Sequence, residues 1–295
     1  LIISLNLIKI IYYLYMNFIN KKYINLGCGT VFIDSPQWIN LDFDSSNKAI
    51  RKANLLNTFP LKENSASVIY SSHFFEHIPR SCIQDFLKEC FRVLKQNGVL
   101  RFVLPDLENM ALTYLKYREN GDHVKADFVV MEIIDQCVRG KSGGELGQLF
   151  KLLSEKSTLK KKEMINFIRE RTGENLYEHS NSYVTKNMII QKIYKIPRAL
   201  MHKLQKAWIS MCLLGLPPAF RKQNISLAEI GERHQWLWDF NQLQTELKKV
   251  GFNGVIKCTA NTSSIPDFPF YPLDLDDDKL PRKGNQSMFV EAYKP

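Results

Sequence analysis

Apolar and polar positions alternate with two different periods along this chain. The runs "KYINLGC" and "QWINLDF" each place a few β-branched, aromatic and aliphatic residues before a glycine or polar turn, the pattern of short strands. Only the residues from Thr30 to Gln37 separate them. A parallel crossover normally takes a dozen residues or more, usually with a helix, so the first crossover is expected to be unusually short. "SASVIYSS" reads as a buried strand after the turn-rich "KENS". In "RSCIQDFLKECFRVLKQNG", Ile83, Phe86, Leu87, Cys90, Phe91 and Leu94 recur at spacings of three and four, which predicts a helix stopped by Asn97-Gly98. "VLRFVLPD" is then a further buried strand ending at Pro105, and strand, helix, strand is the right-handed crossover unit of a parallel sheet. From Leu107 to Ile225 the period is helical, broken at Gly140 to Gly144, Gly173, Pro197 and Pro217-Pro218. "DFNQLQTELKKVGF" is a helix capped by Gly251, and "NGVIKCTAN" and "NQSMFVEAYK" are two last strands suited to an antiparallel pair.

Composition adds limits. A chain of 295 residues accommodates one large domain, or a domain with an insertion. With 45% hydrophobic and 24% charged residues, it reads as globular and soluble. No C-x-x-C pair occurs among the six cysteines, so neither a zinc site nor a disulfide framework is indicated, and a reducing cytoplasm is expected. The net charge of +10 is accounted for by the block from Lys151 to Ile225, where fifteen Lys/Arg face five Asp/Glu. The opening "LIISLNLIKIIYYLYMNF" is interrupted by Asn6 and Lys9 and is short for a spanning helix, with no cleavage site of a signal peptide after it. Residues 1–22 are expected to be an extension, its first fifteen residues being upstream sequence before Met16 or the product of another start codon; the alternative is a membrane-contacting helix.

Candidate chemistry gathers at three places. Gly27 and Gly29 flank Cys28 just after the first strand, where glycines let backbone N–H groups approach a nucleotide, although a Gly-x-Gly also serves an ordinary turn. Asp42 ends the second strand, where a carboxylate can accept from both hydroxyls of a ribose; Asp44 is near enough to take that role instead. "YSSHFFEHI" directly follows a later strand. Ligands of open α/β sheets bind where strands end and their order reverses.

Together the segments "INLGCG", "WINLDFD", "FPLKENSASVIYSSHFFEHI", "FLKECFRVLKQNGVLRFVLPDLE", "HQWLWDFNQLQTELKKVGF" and "SMFVEAYK" resemble the class I S-adenosylmethionine-dependent methyltransferases, of the type-11-like group often found beside surface-polysaccharide genes. The resemblance implies an α/β fold, a Rossmann-like doubly wound sheet of seven strands with an antiparallel last strand, here with a large helical insertion. It implies S-adenosyl-L-methionine as cofactor, on Gly27, Cys28 and Gly29, with its ribose on Asp42 and its adenine beside Asn54 and Leu55; Asn25, Ser71, Ser72 and His73 complete the implied binding set. Two positions depart from the family pattern. Asn25 stands where many relatives carry an acid, and Asn54 where an Asp is common, which predicts weaker cofactor binding. The third glycine of a dinucleotide fingerprint is missing, against a nicotinamide enzyme.

On this reading residues 23–106 and 226–295 form the methyltransferase domain, and residues 107–225 an inserted cap acting as a lid over the acceptor. "SGGELG" is expected to be a flexible loop within it, and Arg171 and Glu174 its polar candidates. Catalytic candidates are His73, His77 and His234: His73 near the reacting methyl, and His234 as a general base with a pKa near neutrality. The plainer alternatives make Glu76 and His77 first-turn residues that tie the loop, His234 a polar residue bonded to the insertion, and Asp106 a helix cap. No metal-ligand spacing is legible. The expected function is methyl transfer to a small-molecule or saccharide acceptor, with an RNA methyltransferase and a non-catalytic partner-binding subunit as rivals. Nucleic acid is not the expected partner, because no aromatic platform or RNA-binding module accompanies the basic block. That block, through the amphipathic stretch that begins at Asn187, reads either as a packed cap or as a surface for an anionic membrane.

Overall fold

The computed structural model describes residues 22–155, 159–177, 204, 207–228 and 231–295. The N-terminal extension up to residue 21 and most of the amphipathic basic stretch therefore lie outside the described residues. Seven strands make one sheet: β1 (Tyr23–Leu26), β2 (Trp38–Asp42), β3 (Ile50–Lys52), β4 (Ala66–Ser72), β5 (Leu94–Pro105), β6 (Asn253–Cys258) and β7 (Ser287–Tyr293). Their order is β3-β2-β1-β4-β5-β7-β6. β1 to β5 pair in parallel, and β7 runs antiparallel between β5 and β6. This is the Rossmann-like seven-stranded mixed sheet that the resemblance implied, and its order reverses between β1 and β4.

One face is covered by helices α1 (Ile83–Val93) and α7 (Phe240–Val250), whose Ile83, Phe86, Leu87, Cys90, Leu243 and Leu247 pack on Ile24, Leu26, Ile69 and Phe102 of the sheet. α7 starts on Asp239, which accepts from the N–H of Gln242 at 2.8 Å, and it stops at the left-handed Gly251. The α1 helix is shorter than its apolar stripe predicts. Leu94 is already extended, and β5 begins there, because the backbone of residues 97–98 is claimed by the end of β7: Asn97 donates to the Lys294 carbonyl at 2.8 Å, and Lys294 to the Gly98 carbonyl at 3.0 Å. A long-range strand pairing outcompetes the helical period.

The other face holds the main departure from a sheet wound by helices on both sides. The β1–β2 crossover contains no helix at all. Two in-register amides replace it: Asn25 on β1 donates to the Val31 carbonyl at 3.1 Å, and Asn40 on β2 to the Ile33 carbonyl at 3.0 Å. Carbonyls that a helix would have satisfied internally are thus satisfied by side chains. The cover is supplied instead by the excursion between β6 and β7, residues 259–286, which lays Ala260, Ile265, Phe268 and Leu273 on Tyr23, Trp38, Val68, Tyr70 and Phe289. Arg101 of β5 fastens it. Its fully buried guanidinium pairs with Asp274 of the excursion at 2.7 Å and Glu291 of β7 at 2.6 Å, and donates to the carbonyls of Thr259 and Thr262.

Between β5 and α7 the chain forms a helical unit with its own apolar cluster, built from α2 (Leu107–Glu119), α3 (His123–Val138), α4 (Gly144–Glu155) and α5 (Leu159–Thr172), with the short α6 (Pro218–Asn224) beyond them. Asp106 caps α2, accepting from the Glu108 N–H. The helical unit and the excursion are stitched together: Asn285 and Gln286 donate to the carbonyls of Glu170 and Arg171. Among the described residues, no helix is long and apolar enough to cross a membrane. All six cysteines are unpaired.

Candidate functional site

The loop after β1 is shaped by its neighbours. Gly27 has φ of +63°, and a Cβ there would stand 2.4 Å from the Phe74 ring, so this glycine admits a close approach of the loop after β4. The N–H of Gly29 donates to Asp42 Oδ2 at 2.8 Å, and the Asp44 N–H reaches Asp42 Oδ1 at 3.4 Å. Asp44 itself turns to Lys52, 2.7 Å away. Burial, reinforced by the charge of Asp42, pushes the Cys28 thiol up to about 12, so it stays protonated and unreactive.

Two cavities open at this end of the sheet. The smaller, about 210 Å³, lies at the β1/β4 reversal against Asn25, Gly27 to Gly29, Ser72 and His73, and is closed on its outer side by Leu273, Arg282 and Lys283 of the excursion. The buried Ser72 hydroxyl that lines it has no hydrogen bond in good geometry among the described residues. The larger, about 410 Å³, is walled by α3, the start of α4, the end of α5 and residues 231–234; Glu132, Glu174 and Glu232 line it together with Arg139, which is paired with Asp135 at 2.7 Å. His73 and Lys283 line both.

Not every residue expected at the cofactor lines the smaller cavity. Asp42 sits beside it on the glycine loop. The Ser71 hydroxyl is spent on the Leu26 carbonyl at 2.8 Å. Asn54 accepts from the Leu56 N–H in the turn after β3, and Leu55 is packed in the core on the α1 face. "SGGELG" is a tied turn rather than a free loop: Asp135 Oδ1 accepts from the Glu145 N–H at 2.6 Å and Glu232 holds Ser142 and Gly143. Arg171 is consumed by Glu132 at 2.9 Å, and by Asn109 and Thr113.

The histidines converge. His73 is held at φ of +50° by its N–H to the Val103 carbonyl, with Nε2 2.9 Å from Ser287 Oγ and Nδ1 3.2 Å from Glu76 Oε1. Glu76 lies fully buried in the turn Phe75–His77, and its carbonyl accepts from the N–H groups of Gln235 and Trp236. This brings His234 beside it, Nε2 3.9 Å from Glu76 Oε1, with the His77 ring edge-on to that of His234 at 4.8 Å. His234 is also bonded to the helical unit, through its N–H to the Gln136 carbonyl. Burial alone would raise the Glu76 carboxyl, but the three histidines, led by His73, hold it down at about 2. Burial pushes the His234 imidazole down to about 4 against the pull of Glu76, so it is a much weaker base than an ordinary histidine. Burial likewise lowers His73, and it lowers Lys283 against Glu174 and Glu76. At neutral pH the site therefore holds an ionised carboxylate with neutral His73 and His234.

Residues 25–102 match the model of a methyltransferase domain family.

The methyltransferase match takes in β1 to most of β5, about a quarter of the chain, and ends before the helical unit. Among solved structures, an S-adenosylmethionine-dependent methyltransferase from Archaeoglobus fulgidus aligns over 98% of this chain and 94% of its own at 11% identity, with a TM-score of 0.38. One from Thermotoga maritima aligns over 93% and 82% at 12% identity, with the same TM-score of 0.38. A protein described as a sarcosine dimethylglycine methyltransferase, from Galdieria sulphuraria, is matched over only 32% of this chain and 43% of its own, at 22% identity and a TM-score of 0.25. None of these likenesses carries an argument for a substrate. No curated protein matches the chain.

Sequence reasoning did not reach Lys283, Ser287 or Glu132. For Glu132 a signal existed, since Glu132 and Asp135 fall three apart among the buried positions of α3. Lys283, in the turn-rich "LPRKGN", offered none.

Proposed function

We propose that the chain is an S-adenosylmethionine-dependent methyltransferase acting on a small polar acceptor, a saccharide hydroxyl being the class we favour. The observation that carries this reading is the meeting of two cavities at His73 and Lys283, over the point where the strand order reverses. Bound S-adenosyl-L-methionine supplies an electrophilic methyl group on a sulfonium sulfur. The residues fit such a ligand: the smaller cavity has a glycine loop with open space beside Gly29 and a buried Ser72 hydroxyl without a hydrogen bond in good geometry among the described residues. Asp42 spends one lone pair on each oxygen within the loop and keeps the others for ribose hydroxyls. Asn54 and the backbone of Leu55, whose side chain is in the core, complete the proposed set from the turn after β3.

The larger cavity is assigned to the acceptor, with the described helical unit, α2 to α5, as its cover. Its polar walls suit a hydroxylated molecule. Its carboxylates argue against a phosphate backbone and so against an RNA substrate. His73 orients groups at the junction, and the cover excludes water from it. Asn25 has a structural duty in this chain, so its departure from the family pattern does not favour a subunit that has lost its cofactor.

Calorimetric titration of the full chain with S-adenosylhomocysteine tests the reading. Binding is expected, and Asp42→Ala should weaken it about tenfold to a hundredfold, the size of one lost hydrogen bond to a charged group. No binding to the folded full chain refutes the proposal. Screening hydroxylated and amine acceptors by mass then identifies the class.

A further inference from the structure

Among the described residues, Glu76 is the side chain that leaves two buried oxygens without a hydrogen bond in good geometry. It is fully buried, and its nearest polar neighbour is His73 Nδ1, 3.2 Å from Oε1. Leaving an ionised carboxylate in that state is costly. Two further imidazole rings stand beyond hydrogen-bond distance: His77 Nε2 at 4.0 Å and His234 Nε2 at 3.9 Å. His77 Nδ1 lies 2.9 Å from the Arg233 carbonyl, which can only accept, so Nδ1 carries a proton, and in the neutral ring Nε2 is the nitrogen left to ligate on the Glu76 side. A backbone carbonyl holding the far nitrogen of a histidine is the arrangement that orients metal-ligating imidazoles. One ligand atom from each of Glu76, His77 and His234 lies within 4.8 Å of the others. Gathering them around one ion at about 2.0–2.2 Å requires a contraction of about an ångström, within reach of side-chain rotation.

The geometry points to a divalent transition-metal site formed by Glu76, His77 and His234, with its open coordination positions facing the larger cavity. Two imidazoles and a carboxylate suit zinc, cobalt, manganese or iron and leave positions for water or substrate. His77 and His234 line the cavity, so those positions face the space assigned to the acceptor. Glu174 and Glu232 add negative charge to the same walls, where Arg139 is paired with Asp135 and Glu132 with Arg171, and this favours a cation. His73, with Nδ1 3.2 Å from Glu76 Oε1, serves as a positioning residue for the carboxylate. An ion here would lower the pKa of a coordinated hydroxyl, whose proton leaves to water. That last role rests on the methyltransferase reading and selects hydroxyl over amine acceptors; the metal site itself does not rest on it.

The test uses the full chain stripped with chelator and titrated with Co²⁺, read by visible absorption and calorimetry. We expect one Co²⁺ per chain, with absorption bands that azide perturbs through an open position. His77→Gln and His234→Gln should each weaken binding at least a hundredfold, while near-ultraviolet dichroism shows both variants folded. Absence of stoichiometric Co²⁺, a spectrum indifferent to azide, or equal affinity in the wild type and both folded variants overturns the proposal. S-adenosylhomocysteine titrations in parallel keep the two readings apart. Cofactor binding without Co²⁺ removes only the metal site, and Co²⁺ binding without cofactor removes only the methyltransferase.

Discussion

Replacing Arg101 by Met tests how the excursion is held on the sheet. The substitution keeps an apolar stem of similar reach and removes the guanidinium. Two carboxylates lose their cation, yet the loss is unequal. Glu291 retains the hydroxyls of Ser263 and Ser264 and the Ser264 N–H, whereas Asp274 retains only the Tyr70 hydroxyl at 2.8 Å. The cost therefore concentrates on Asp274, at the 3–5 kcal/mol typical of breaking one buried ion pair. That is a large share of the 5–15 kcal/mol by which domains are usually stable. Urea unfolding at pH 7.5 measures it. Burial already raises the Asp274 carboxyl even with Arg101 beside it, and without Arg101 it rises further. A carboxyl whose folded pKa lies above its unfolded one takes up protons on folding as pH falls, so the variant recovers stability relative to wild type toward pH 5. Asp274→Asn in the Arg101→Met background should restore about half of the loss at pH 7.5 by removing the stranded charge. Because Leu273, Arg282 and Lys283 close the smaller cavity from the excursion, affinity for S-adenosylhomocysteine should fall in the single variant and return in part in the double. A loss below about 1 kcal/mol, or a double variant no better than the single, would refute the argument that this buried pair fastens the excursion.

Asn25→Asp puts a carboxylate against the Val31 carbonyl in place of a donor; it should cost about 1–3 kcal/mol in urea unfolding and bring no gain in cofactor affinity, even though an acid is common there in relatives. An unchanged midpoint would show that the amide does not hold the crossover. Native thiol labelling at pH 8 followed by mass spectrometry should modify the exposed Cys212 well before the buried Cys28 and Cys90, whose thiols burial holds protonated; early labelling at Cys28 would place the glycine loop in an open state.

What the sequence determined by itself is whatever depends on neighbours a few residues apart. The stripe from Ile83 to Phe91, the Gly251 cap, the Asp106 cap and the short apolar runs of β1, β2 and β4 are local, because they are set by residues close together in the chain. The missing first helix was legible for the same reason, as a count of residues between two strands. Tertiary structure alone decided the rest. His234 meets Glu76 only because the chain returns along the turn Phe75–His77, and no spacing in the sequence encodes a contact between residues so far apart. Leu94 belonged to a helix by period and to β5 by its pairing. The excursion had no periodicity to reveal it, since it covers the sheet with irregular backbone pinned by Arg101, Asp274 and Glu291, and the burial that turns such polar residues into fasteners, and His234 into a weak base, exists only once the layers have closed.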